Sequence, residues 1–444
     1  MTSSQRVGLR TLLTHRNSYL SGVAGTGKSY LLRSFVELCH LRDRQVAITA
    51  SAGLPASLIG GQTIHSWSGA GRGDVDPDRM PARWHSTRSP VIRATDVLVL
   101  DEVSMLDART LAVIEGLCRA ARDPAQAWGG LQVVFVGDMG QLPPVEEAER
   151  GFAFESFGWQ AANPVVVELS EVVRQSEATF VQALFEARMG KLSAASLRLL
   201  SSRVHAYDPE VSGVLRLTTH RRQAEKINLT RLAKLEAQGA RRVTFRARDT
   251  FAEGVPPQYL EGRLRLRREV ALAPGARVLF VQNDSGGRWV NGSQGTVLEL
   301  FEEAALVLVD GADAPVVVER SLNEVCDRQV EHSSACEGRR RGCRCPIDRK
   351  LIAVRYQIPL DLGWSATVHR SQGMTLDAVS VDLRKTFASG QSYVAVSRAR
   401  TLSGLNIEGW RGAASFWLHP RVEAFLAGRS AAQSNDPTTR PLGE

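Results

Sequence analysis

The sequence predicts an α/β fold of two units, with a small β-barrel inserted in the second unit. In the first half of the chain, short and almost uninterrupted apolar runs alternate with helix-length segments, which is typical of buried parallel strands. The same alternation returns after residue 355. Between the two regions, residues 255–354 carry short β-branched runs separated by turn residues, and this pattern favours a small barrel.

Length and composition limit the class of protein. At roughly 150 residues per domain, 444 residues suggest about three packed units. The hydrophobic share of 43% and the charged share of 23% exclude wholesale disorder, and no stretch approaches the ~20 apolar residues of a membrane span. Residues 1–36 lack Asp and Glu, as transit peptides do, but cleavage there would destroy the glycine-rich motif that begins at Gly22. We therefore expect a soluble protein of the cytoplasm with no membrane partner.

The charge balance is basic and rich in arginine. The net charge is +8, and only six of the 55 basic residues are Lys. Guanidinium groups bind phosphate as a planar fork, so this balance suits a polyanionic partner. GC-rich codons also favour Arg over Lys whatever the function, so the charge alone leaves both interpretations open.

The first unit is predicted to contain five strands and the helices between them. The strands lie at residues 18–20, 46–48, 97–100, 133–136 and 165–167. A helix is expected over residues 30–41, directly after the first strand, and another over residues 106–122. Residues 71–95 are polar and contain Arg, Asp and Pro, which indicates an inserted loop or small subdomain.

The second unit begins near Glu168 and is interrupted by the inserted strands. Its other predicted elements are a strand at 215–217, a helix at 224–235, and strands at 378–383 and 393–396. Within the insertion, strands are expected at 277–281, 295–300, 305–309 and 316–319, the last two paired across a turn. The tail 429–444 is polar and rich in Ser, Thr and Pro, which predicts disorder.

Residues 22–29 read GVAGTGKS and match the phosphate-binding pattern G-x-x-x-x-G-K-[ST]. The motif lies between a predicted strand and a predicted helix, where backbone N–H groups can turn inward onto phosphates. Lys28 is expected to reach the β- and γ-phosphates, and the Ser29 hydroxyl to bind magnesium. The residues expected to hold ATP are Gly22, Ala24, Gly25, Thr26, Gly27, Lys28 and Ser29.

Two acids and a glutamine follow neighbouring strands of the same unit. Asp101 and Glu102 end the apolar run 97–100, which places them at the carboxyl edge of a parallel sheet, beside the phosphate-binding loop. Asp101 is expected to hold magnesium, and Glu102 to polarise the attacking water. Gln141 follows the next strand, in VGDMGQLPPV, and its amide can bond a γ-phosphate oxygen.

The order of the motifs resembles that of superfamily 1 helicases of type B, and most of all the Pif/RecD family. The resemblance is carried by ITASAG at 48–53, GGQTIHSW at 60–67, DEVSM at 101–105, GDMGQLPPV at 137–145, LSEVVRQ at 169–175, WSATVHRSQGMTL at 364–376 and GQSYVAVSRAR at 390–400. Residues 106–130, ending in Trp-Gly-Gly, resemble the signature of the Pif members. The chain departs from the family's pattern at Pro55 and Arg370.

This resemblance implies two RecA-like P-loop NTPase domains that hold ATP between them. The first would comprise residues 1–63 and 96–168, with a wedge subdomain at 64–95; the second would comprise residues 169–254 and 355–428, with the β-barrel at 255–354. The second domain would supply the arginine fingers Arg174 and Arg398, and Gln5 would contact the adenine. The implied activity is that of a monomeric, ATP-dependent DNA helicase. It would move 5′ to 3′ on single-stranded DNA, unwind forked DNA, and serve replication, recombination or repair.

The resemblance also implies a DNA path across both domains. Trp67 is expected to stack on a base. Phosphate contacts are expected from Thr49, Ser51, His65, Thr367, His369 and Ser371. The wedge would separate the strands, and the barrel would close over the single strand.

Four of the six cysteines lie within twenty positions, and they are Cys326, Cys336, Cys343 and Cys345. Four thiolates could hold a zinc ion that stabilises a hairpin without an apolar core, with His332 as a further candidate ligand. Three consecutive arginines, 339–341, lie in the same segment. A DNA-facing loop with incidental thiols is therefore equally compatible with the sequence.

Two other functions remain compatible with the nucleotide motifs. An ATP-switched protein could load or grip nucleic acid without unwinding it, and a fork-unwinding assay separates it from a helicase. A small-molecule P-loop kinase is disfavoured by the arginine motifs and the inserted strands, and its ATPase activity would not respond to single-stranded DNA.

Overall fold

The computed structural model describes residues 1–14, 16–51, 61–71, 73–145, 147–205, 214–255, 257, 264, 266–330 and 347–434. These residues form one parallel sheet in each half of the fold and three antiparallel sheets inserted in the second half. Buried apolar side chains form two core clusters on the first sheet, one on the second sheet and one in the insertion.

The first sheet has six strands, and every pairing is parallel. The strands are β1 (Ser18–Gly22), β2 (Val46–Ala50), β3 (Gln62–Thr63), β4 (Val97–Asp101), β5 (Gln132–Gly137) and β6 (Val165–Leu169), in the order β3-β2-β4-β5-β1-β6. The five predicted strands are confirmed, and β3 is a further short strand at the sheet edge. Since parallel strands end at one edge of a sheet, the loops after β1, β4 and β5 meet there.

Helices cover both faces of the first sheet. They are α1 (Ser3–Leu12), α2 (Lys28–His40), α3 (Ile64–Ser68), α4 (Ala82–Ala94), α5 (Ala108–Ala121), α6 (Glu147–Arg150) and α7 (Phe157–Ala162). Leu98 and Leu100 of β4 belong to one core cluster, and Val97 and Val99 belong to the other. This division follows from the alternation of side chains along a strand, and it explains why the sequence of β4 is apolar throughout.

The segment 64–95, predicted as an inserted wedge, is anchored on the first sheet. It contains α3, a turn of 3-10 helix at Pro77–Arg79, and α4. Trp84 of α4 is buried in the first core and donates Nε1–H to Ser68 O at 2.7 Å. Arg88 of the same helix makes a two-pronged ion pair with Asp327 of the insertion, with Nη1–Oδ1 at 2.5 Å and Nη2–Oδ2 at 3.1 Å. The segment therefore contacts both the first sheet and the insertion.

Two helices, a strand and a long helix lead from the first half into the insertion. They are α8 (Ala178–Arg188), α9 (Ala194–Ser201), β7 (Leu215–Thr218) and α10 (Arg221–Ala237). The strand and the long helix confirm the elements predicted at 215–217 and 224–235. Phe180 and Leu184 of α8 pack in the core of the second half.

The insertion consists of antiparallel strands, and strands of two of its three sheets contribute to one apolar core. They are β8 (Val243–Arg246), β9 (Arg248–Phe251), β10 (Glu269–Leu272), β11 (Arg277–Phe280), β12 (Gln294–Leu300), β13 (Ala304–Val309), β14 (Val316–Glu319), β15 (Ser321–Val330), β16 (Ile347–Gln357) and β17 (Leu360–Leu362). The ladders are β14-β13-β12-β11-β17, β15-β16-β9 and β10-β8. The predicted pairing of 305–309 with 316–319 is confirmed by the β13–β14 ladder. The strands extend beyond the predicted range 255–354 at both ends.

The second parallel sheet is completed after the insertion. Its remaining strands are β18 (Ser365–Thr367), β19 (Val379–Asp382) and β20 (Leu405–Gly409), in the order β18-β7-β19-β20. Residues 393–396, predicted as a strand, form part of helix α11 (Gln391–Val396), so that prediction is wrong. Every residue of this helix is buried, so no polar face marks a helical period in its sequence.

The C-terminal helix α12 (Pro420–Ser434) returns to the first half of the fold. Val422 and Leu426 belong to the first core, and the ring of Phe425 stacks on Phe154 with centroids 4.3 Å apart. Arg421 also pairs with Glu155 at 2.9 Å. The structure thus differs from the predicted division, which assigns all of 355–428 to the second unit. The helix also extends into the segment 429–444, for which the composition predicts disorder; residues 435–444 lie outside the described part of the chain.

Candidate nucleotide and nucleic-acid sites

The phosphate-binding loop connects β1 to α2 and requires glycine at two positions. Gly25 and Gly27 have φ of 87° and 82°, in the left-handed region. A Cβ atom at Gly25 would lie 2.6 Å from Cβ of Arg174, and one at Gly27 would lie 2.5 Å from Nε2 of Gln5. The loop is therefore packed between α1 and the segment that follows β6.

Gln5 lies beside this loop and is buried. Its Nε2 donates to Thr26 O at 3.0 Å, and its Oε1 accepts from the N–H of Thr2 at 3.0 Å. Both ends of the amide are thus bonded within the chain, and in this conformation Gln5 holds the loop in place. A contact between Gln5 and adenine stays a prediction.

Lys28 begins α2 and lies close to three carboxylates. Its Nζ donates to Gly22 O at 2.7 Å and to Val23 O at 3.1 Å. Burial lowers the pKa of Lys28, and the charges of three acids oppose that effect; they are Asp138, Glu102 and Asp101. The ammonium group is therefore held by backbone oxygens of its own loop, and this is the loop that is predicted to bind phosphate.

Two partly buried acids lie at the carboxyl edge of the first sheet, Asp101 as the last residue of β4 and Glu102 directly after it. Glu102 has φ of 51°, a conformation that costs a residue with a side chain about 1–2 kcal/mol. Burial and the neighbouring charge of Glu102 raise the pKa of Asp101 to about 7, and burial raises the pKa of Glu102. A bound cation relieves this penalty, and carboxylate and hydroxyl oxygens are the ligands that Mg²⁺ prefers. The donor set of Asp101 and Ser29 therefore fits magnesium.

Gln372 connects the two halves of the fold at these acids. Its Nε2 donates to Glu102 Oε2 at 3.0 Å and lies 3.5 Å from Gln141 Oε1. Gln372 belongs to the motif segment 364–376, but it is not among the predicted site residues. The signal that could have identified it was a carboxamide within a segment already assigned to the site.

Arg174 lies on the segment that connects β6 to α8, Arg398 follows α11 of the second half, and the two lie near each other. Arg174 Nη1 donates to Ser397 O at 3.3 Å. Arg398 is 2% exposed and donates to Val394 O, Met374 O and Ser397 Oγ at 2.9 to 3.3 Å. Burial, and then the charge of Arg174, lower the pKa of Arg398 to about 9, so the guanidinium remains charged at neutral pH.

These side chains meet in one cleft of about 780 Å³ between the two parallel sheets. Its lining includes Ala24, Gly25, Gly27, Lys28, Ser29, Arg33, Asp101, Glu102, Gln141, Arg174, Gln372, Arg398 and Arg400, together with Asn283 and Asn291 of the insertion. Five of these side chains are basic and two are acidic. The surplus of positive charge suits a polyphosphate, and most of the residues predicted for the nucleotide line this cleft. Gly22 and Thr26 belong to the same motif, but they do not line the cleft.

A larger cavity of about 1580 Å³ lies at the opposite edge of the first sheet. It opens near the beginnings of the strands, and none of the predicted nucleotide residues lines it. In open parallel sheets, ligands bind outside the carboxyl ends of the strands. The smaller cleft is therefore the candidate active site.

Three residues predicted to contact DNA are buried. Thr49 Oγ1 donates to Val99 O at 2.6 Å, and Ser371 Oγ donates to Val368 O at 2.8 Å, so both hydroxyls are bonded within the chain. Trp67 has no exposed surface and packs in the first core. The prediction that Trp67 stacks on a base is therefore wrong for this conformation. The ring is large and mostly apolar, and packing in the core removes its surface from water.

The other predicted DNA contacts are partly exposed and lie after β2, in α3, and at the end of β18. They are Ser51, His65, Thr367 and His369. Burial lowers the pKa of both imidazoles, so they are neutral at pH 7 and can donate one hydrogen bond each. The Oγ of Ser51 has no hydrogen-bond partner among the described residues.

The cysteine cluster lies mostly outside the described residues. Cys326 is half-buried on β15, and Arg349 Nη2 lies 3.7 Å from its sulfur. Cys336, Cys343 and Cys345 fall in residues 331–346, which the structure does not describe. Within the described ranges there is no cluster of three His, Cys, Asp or Glu side chains arranged for a metal ion. Nor does that part of the chain contain a helix long and apolar enough to cross a membrane.

A phosphate-binding loop on one parallel sheet, with a second parallel sheet across the cleft and arginines lining it, defines a two-domain P-loop NTPase. The model of the PIF1-like helicase family matches residues 9–195. The ATP-dependent DNA helicase Pif1 of Bdellovibrio bacteriovorus is 32% identical over 429 residues, which cover 96% of this chain and 91% of that protein. The chain therefore belongs to the PIF1-like helicase family.

Solved structures of relatives share the fold. Pif1 of Bacteroides sp. in complex with ADP-AlF4 has a TM-score of 0.83 and 25% identity, with 97% of each chain covered. The Bacteroides Pif1 structure bound to single-stranded DNA has a TM-score of 0.66 at the same identity and coverage. The arrangement of this chain is thus more similar to the nucleotide complex than to this DNA complex.

Proposed function

We propose that the protein is an ATP-dependent DNA helicase that moves 5′ to 3′ on single-stranded DNA and unwinds duplex DNA. The observation that carries the proposal is one cleft lined by Lys28, Asp101 and Glu102 beside the first sheet, by Arg174 of the segment after β6, and by Arg398 of the second half. Such a cleft is complete only when both halves are correctly placed. Hydrolysis can therefore be coupled to their relative motion.

The residues of the first sheet would bind ATP and activate water. Lys28 would exchange its two backbone acceptors for phosphate oxygens, and Ser29 and Asp101 would hold magnesium, which neutralises charge on the phosphates. Glu102 would accept a proton from the attacking water, and its raised pKa brings it nearer to the working pH. Gln141 would bond the γ-phosphate and, through Gln372, report its presence to the second half.

The arginines of the second half would complete the site. Arg174 and Arg398 are proposed to stabilise the charge that develops on the transferred phosphoryl group, an effect worth about 10³–10⁵ in rate. Arg398 is bonded to Val394, Met374 and Ser397 in this conformation. We propose that closure of the cleft on DNA moves its guanidinium onto the γ-phosphate.

Single-stranded DNA is proposed to cross the two sheets at their carboxyl edges. Support comes from the partly exposed side chains His65, Thr367 and His369, and from the single-stranded DNA that the Bacteroides relative binds; the Oγ of Ser51 is buried, so its predicted DNA contact has no such support. The buried hydroxyls of Thr49 and Ser371 are unsuited to this role, so we assign only backbone contacts to these two residues. Phosphate contacts of this kind fix position without reading sequence.

The two inserted segments are proposed to serve strand separation. Segment 64–95 would be the wedge, a role supported by its contact with the insertion through Arg88 and Asp327. The apolar core that two sheets of the insertion share supports a small barrel that closes over the DNA strand. We also propose a zinc site at the cysteine cluster, which includes Cys326, and metal analysis of the purified protein tests it. We place the protein in the cytoplasm, as a monomer, in replication, recombination or repair.

Strand displacement on tailed duplexes tests the proposed function. We expect ATP-dependent unwinding of a duplex with a 5′ single-stranded tail and none of a duplex with a 3′ tail. Lys28→Ala should abolish unwinding and hydrolysis, since Lys28 is the phosphate ligand of the loop. Lys191→Ala is the matched control, because Lys191 is a surface residue with 68% of its side chain exposed. ATPase activity that DNA stimulates without any unwinding would contradict the proposal and indicate a loading protein.

A further inference from the structure

The phosphate-binding loop is held from the second half of the fold at Ala24. The backbone N–H of Ala24 donates to Oη of Tyr393 at 2.8 Å. The methyl group of Ala24 packs in the core of the second half, to which Tyr393 also belongs. The next residue of the loop, Gly25, accepts hydrogen bonds from the N–H groups of Val173 and Arg174 at 2.8 and 3.2 Å. Part of the loop is thus fixed by groups outside its own sheet.

The hydroxyl of Tyr393 continues into a buried network. It donates to Asp138 Oδ2 at 3.1 Å, and Asp138 Oδ1 accepts from Arg188 Nε at 2.7 Å and from the N–H of Gly140 at 3.0 Å. Asp138 follows β5 of the first sheet, Arg188 ends α8, and Tyr393 lies on α11. Tyr393, Asp138 and Arg188 are 1%, 0% and 6% exposed. The network therefore joins the two halves through side chains that water does not reach.

The direction of each hydrogen bond in the network is fixed by charge. Burial raises the pKa of Asp138, but the charges of Arg188 and Lys28 outweigh burial and keep that pKa below its usual range. Burial also raises the pKa of Tyr393, so its hydroxyl stays neutral. Since an ionised carboxylate only accepts, the single hydroxyl proton must go to Asp138. The oxygen of Tyr393 is then the acceptor for Ala24.

One donor of the network is unsatisfied in this arrangement. Nη2 of Arg188 is buried and has no hydrogen-bond partner among the described residues. A buried donor without an acceptor is costly, so the ion pair of Arg188 with Asp138 is kept at some expense in stability.

We propose that Tyr393 is a positioning residue that transmits the relative placement of the two halves to the phosphate-binding loop. When the second sheet shifts, the hydroxyl of Tyr393 moves with α11 and pulls on or releases the N–H of Ala24. DNA that binds across both halves would in this way change how tightly the loop holds a nucleotide. The inference rests on the proposed function, because it requires DNA to bind both halves.

Tyr393→Phe removes the hydroxyl and keeps the ring, so it tests the inference directly. The probe is the dissociation rate of a fluorescent ADP, N-methylanthraniloyl-ADP, measured with and without a saturating oligothymidylate. In the wild type we expect the oligonucleotide to change this rate. In Tyr393→Phe we expect that change to shrink by about three- to tenfold, the scale of one buried hydrogen bond. The affinity for the oligonucleotide alone should stay at the wild-type level.

Two further variants separate positioning from a general loss of stability. Asp138→Asn removes the charge that orients the hydroxyl, and a double-mutant cycle with Tyr393→Phe should be non-additive if both act through one hydrogen bond. Tyr356→Phe, on β16 of the insertion, is the control for loss of a tyrosine hydroxyl and should leave ADP release unchanged.

Two results would overturn the inference. The first is a Tyr393→Phe protein whose ADP release responds to DNA as the wild type does. The second is a wild type whose ADP release ignores DNA although its hydrolysis is stimulated. Failure of the proposed function is distinguishable from both, because the wild type would then lack DNA-stimulated hydrolysis altogether.

Discussion

At the scale of the residue, Glu102 departs from ordinary behaviour in both backbone and charge. Its φ is 51°, burial raises its pKa, and Gln372 donates a hydrogen bond to its carboxylate. Strained backbone of this kind persists where the surrounding structure enforces it, and it clusters at functional sites. The carboxylate is therefore fixed in place, which is the requirement for a general base.

Glu102→Gln should separate nucleotide binding from hydrolysis. The amide keeps the shape of the side chain and an acceptor for Gln372, but it cannot take a proton from water. We expect ATP affinity close to wild type and hydrolysis slower by about 10²–10⁴-fold. Equilibrium binding of labelled ATP and steady-state hydrolysis measure the two quantities. Glu37→Gln, on the exposed face of α2, is the matched control. A Glu102→Gln protein that no longer binds ATP would refute the assigned role.

Most of the nucleotide site could be predicted from the sequence, because its residues lie in local motifs. Lys28 follows a glycine pattern whose backbone geometry is set within a few residues, and Asp101 directly follows an apolar strand. Gln372 and Tyr393 were missed because their contacts are remote in sequence. Gln372 bonds a carboxylate 270 positions away, and Tyr393 bonds a loop 369 positions away. No local pattern encodes such a contact.

At the scale of the element, buried parallel strands were predictable and a buried helix was not. β4 and β5 are short and apolar on both faces, a pattern that distinguishes them from amphipathic helices. Helix α11 is buried on every side, so its sequence resembles a strand. Helix α12 packs on the first sheet through Val422 and Leu426, far from the strands that precede it in sequence. Its partner is set by tertiary packing, which the spacing of its own residues does not specify.

The short helix α3 provides a test at this scale, because Trp67 packs from it into the first core. Trp67→Ala should lower the free energy of unfolding by about 3–5 kcal/mol, the cost of deleting a large buried side chain. Urea denaturation followed by circular dichroism measures this loss. Among molecules that remain folded, we expect the affinity for single-stranded DNA to be nearly unchanged.

The control for this prediction is Trp417→Ala, because Trp417 is 36% exposed and should cost much less stability. A Trp67→Ala protein of normal stability that binds DNA weakly would contradict the packing account. Loss of base stacking would cost about 1–3 kcal/mol of affinity per base, which a binding titration detects.

At the scale of the whole molecule, the active site is divided between two halves that also contact each other outside the cleft. Helix α12 packs on the first sheet, and the ion pair of Arg88 and Asp327 joins segment 64–95 to the insertion. The cleft carries basic residues from both sheets and acids from the first only. A polyphosphate between the sheets would therefore draw them together, and closure would bring the arginines to the phosphates.

The central claim is that hydrolysis requires an arginine from the second half of the fold. Arg398→Ala should leave ATP affinity almost unchanged, because the loop at Lys28 provides most of the binding in the open state. It should also reduce DNA-stimulated hydrolysis by about three orders of magnitude, the scale of a lost arginine finger. Arg398→Lys should restore little, since an ammonium lacks the planar fork. Arg384→Ala, at a residue with 55% of its side chain exposed, is the control and should hydrolyse ATP normally.

Single-turnover hydrolysis with saturating oligonucleotide is the most direct measurement of this claim, because it excludes product release from the rate. The two-domain active site predicts that Arg398→Ala hydrolyses ATP about a thousandfold more slowly, the effect of losing an arginine finger. A rate within about threefold of wild type would mean that Arg398 only anchors α11 through Val394 and Met374, and the two-domain active site would be wrong.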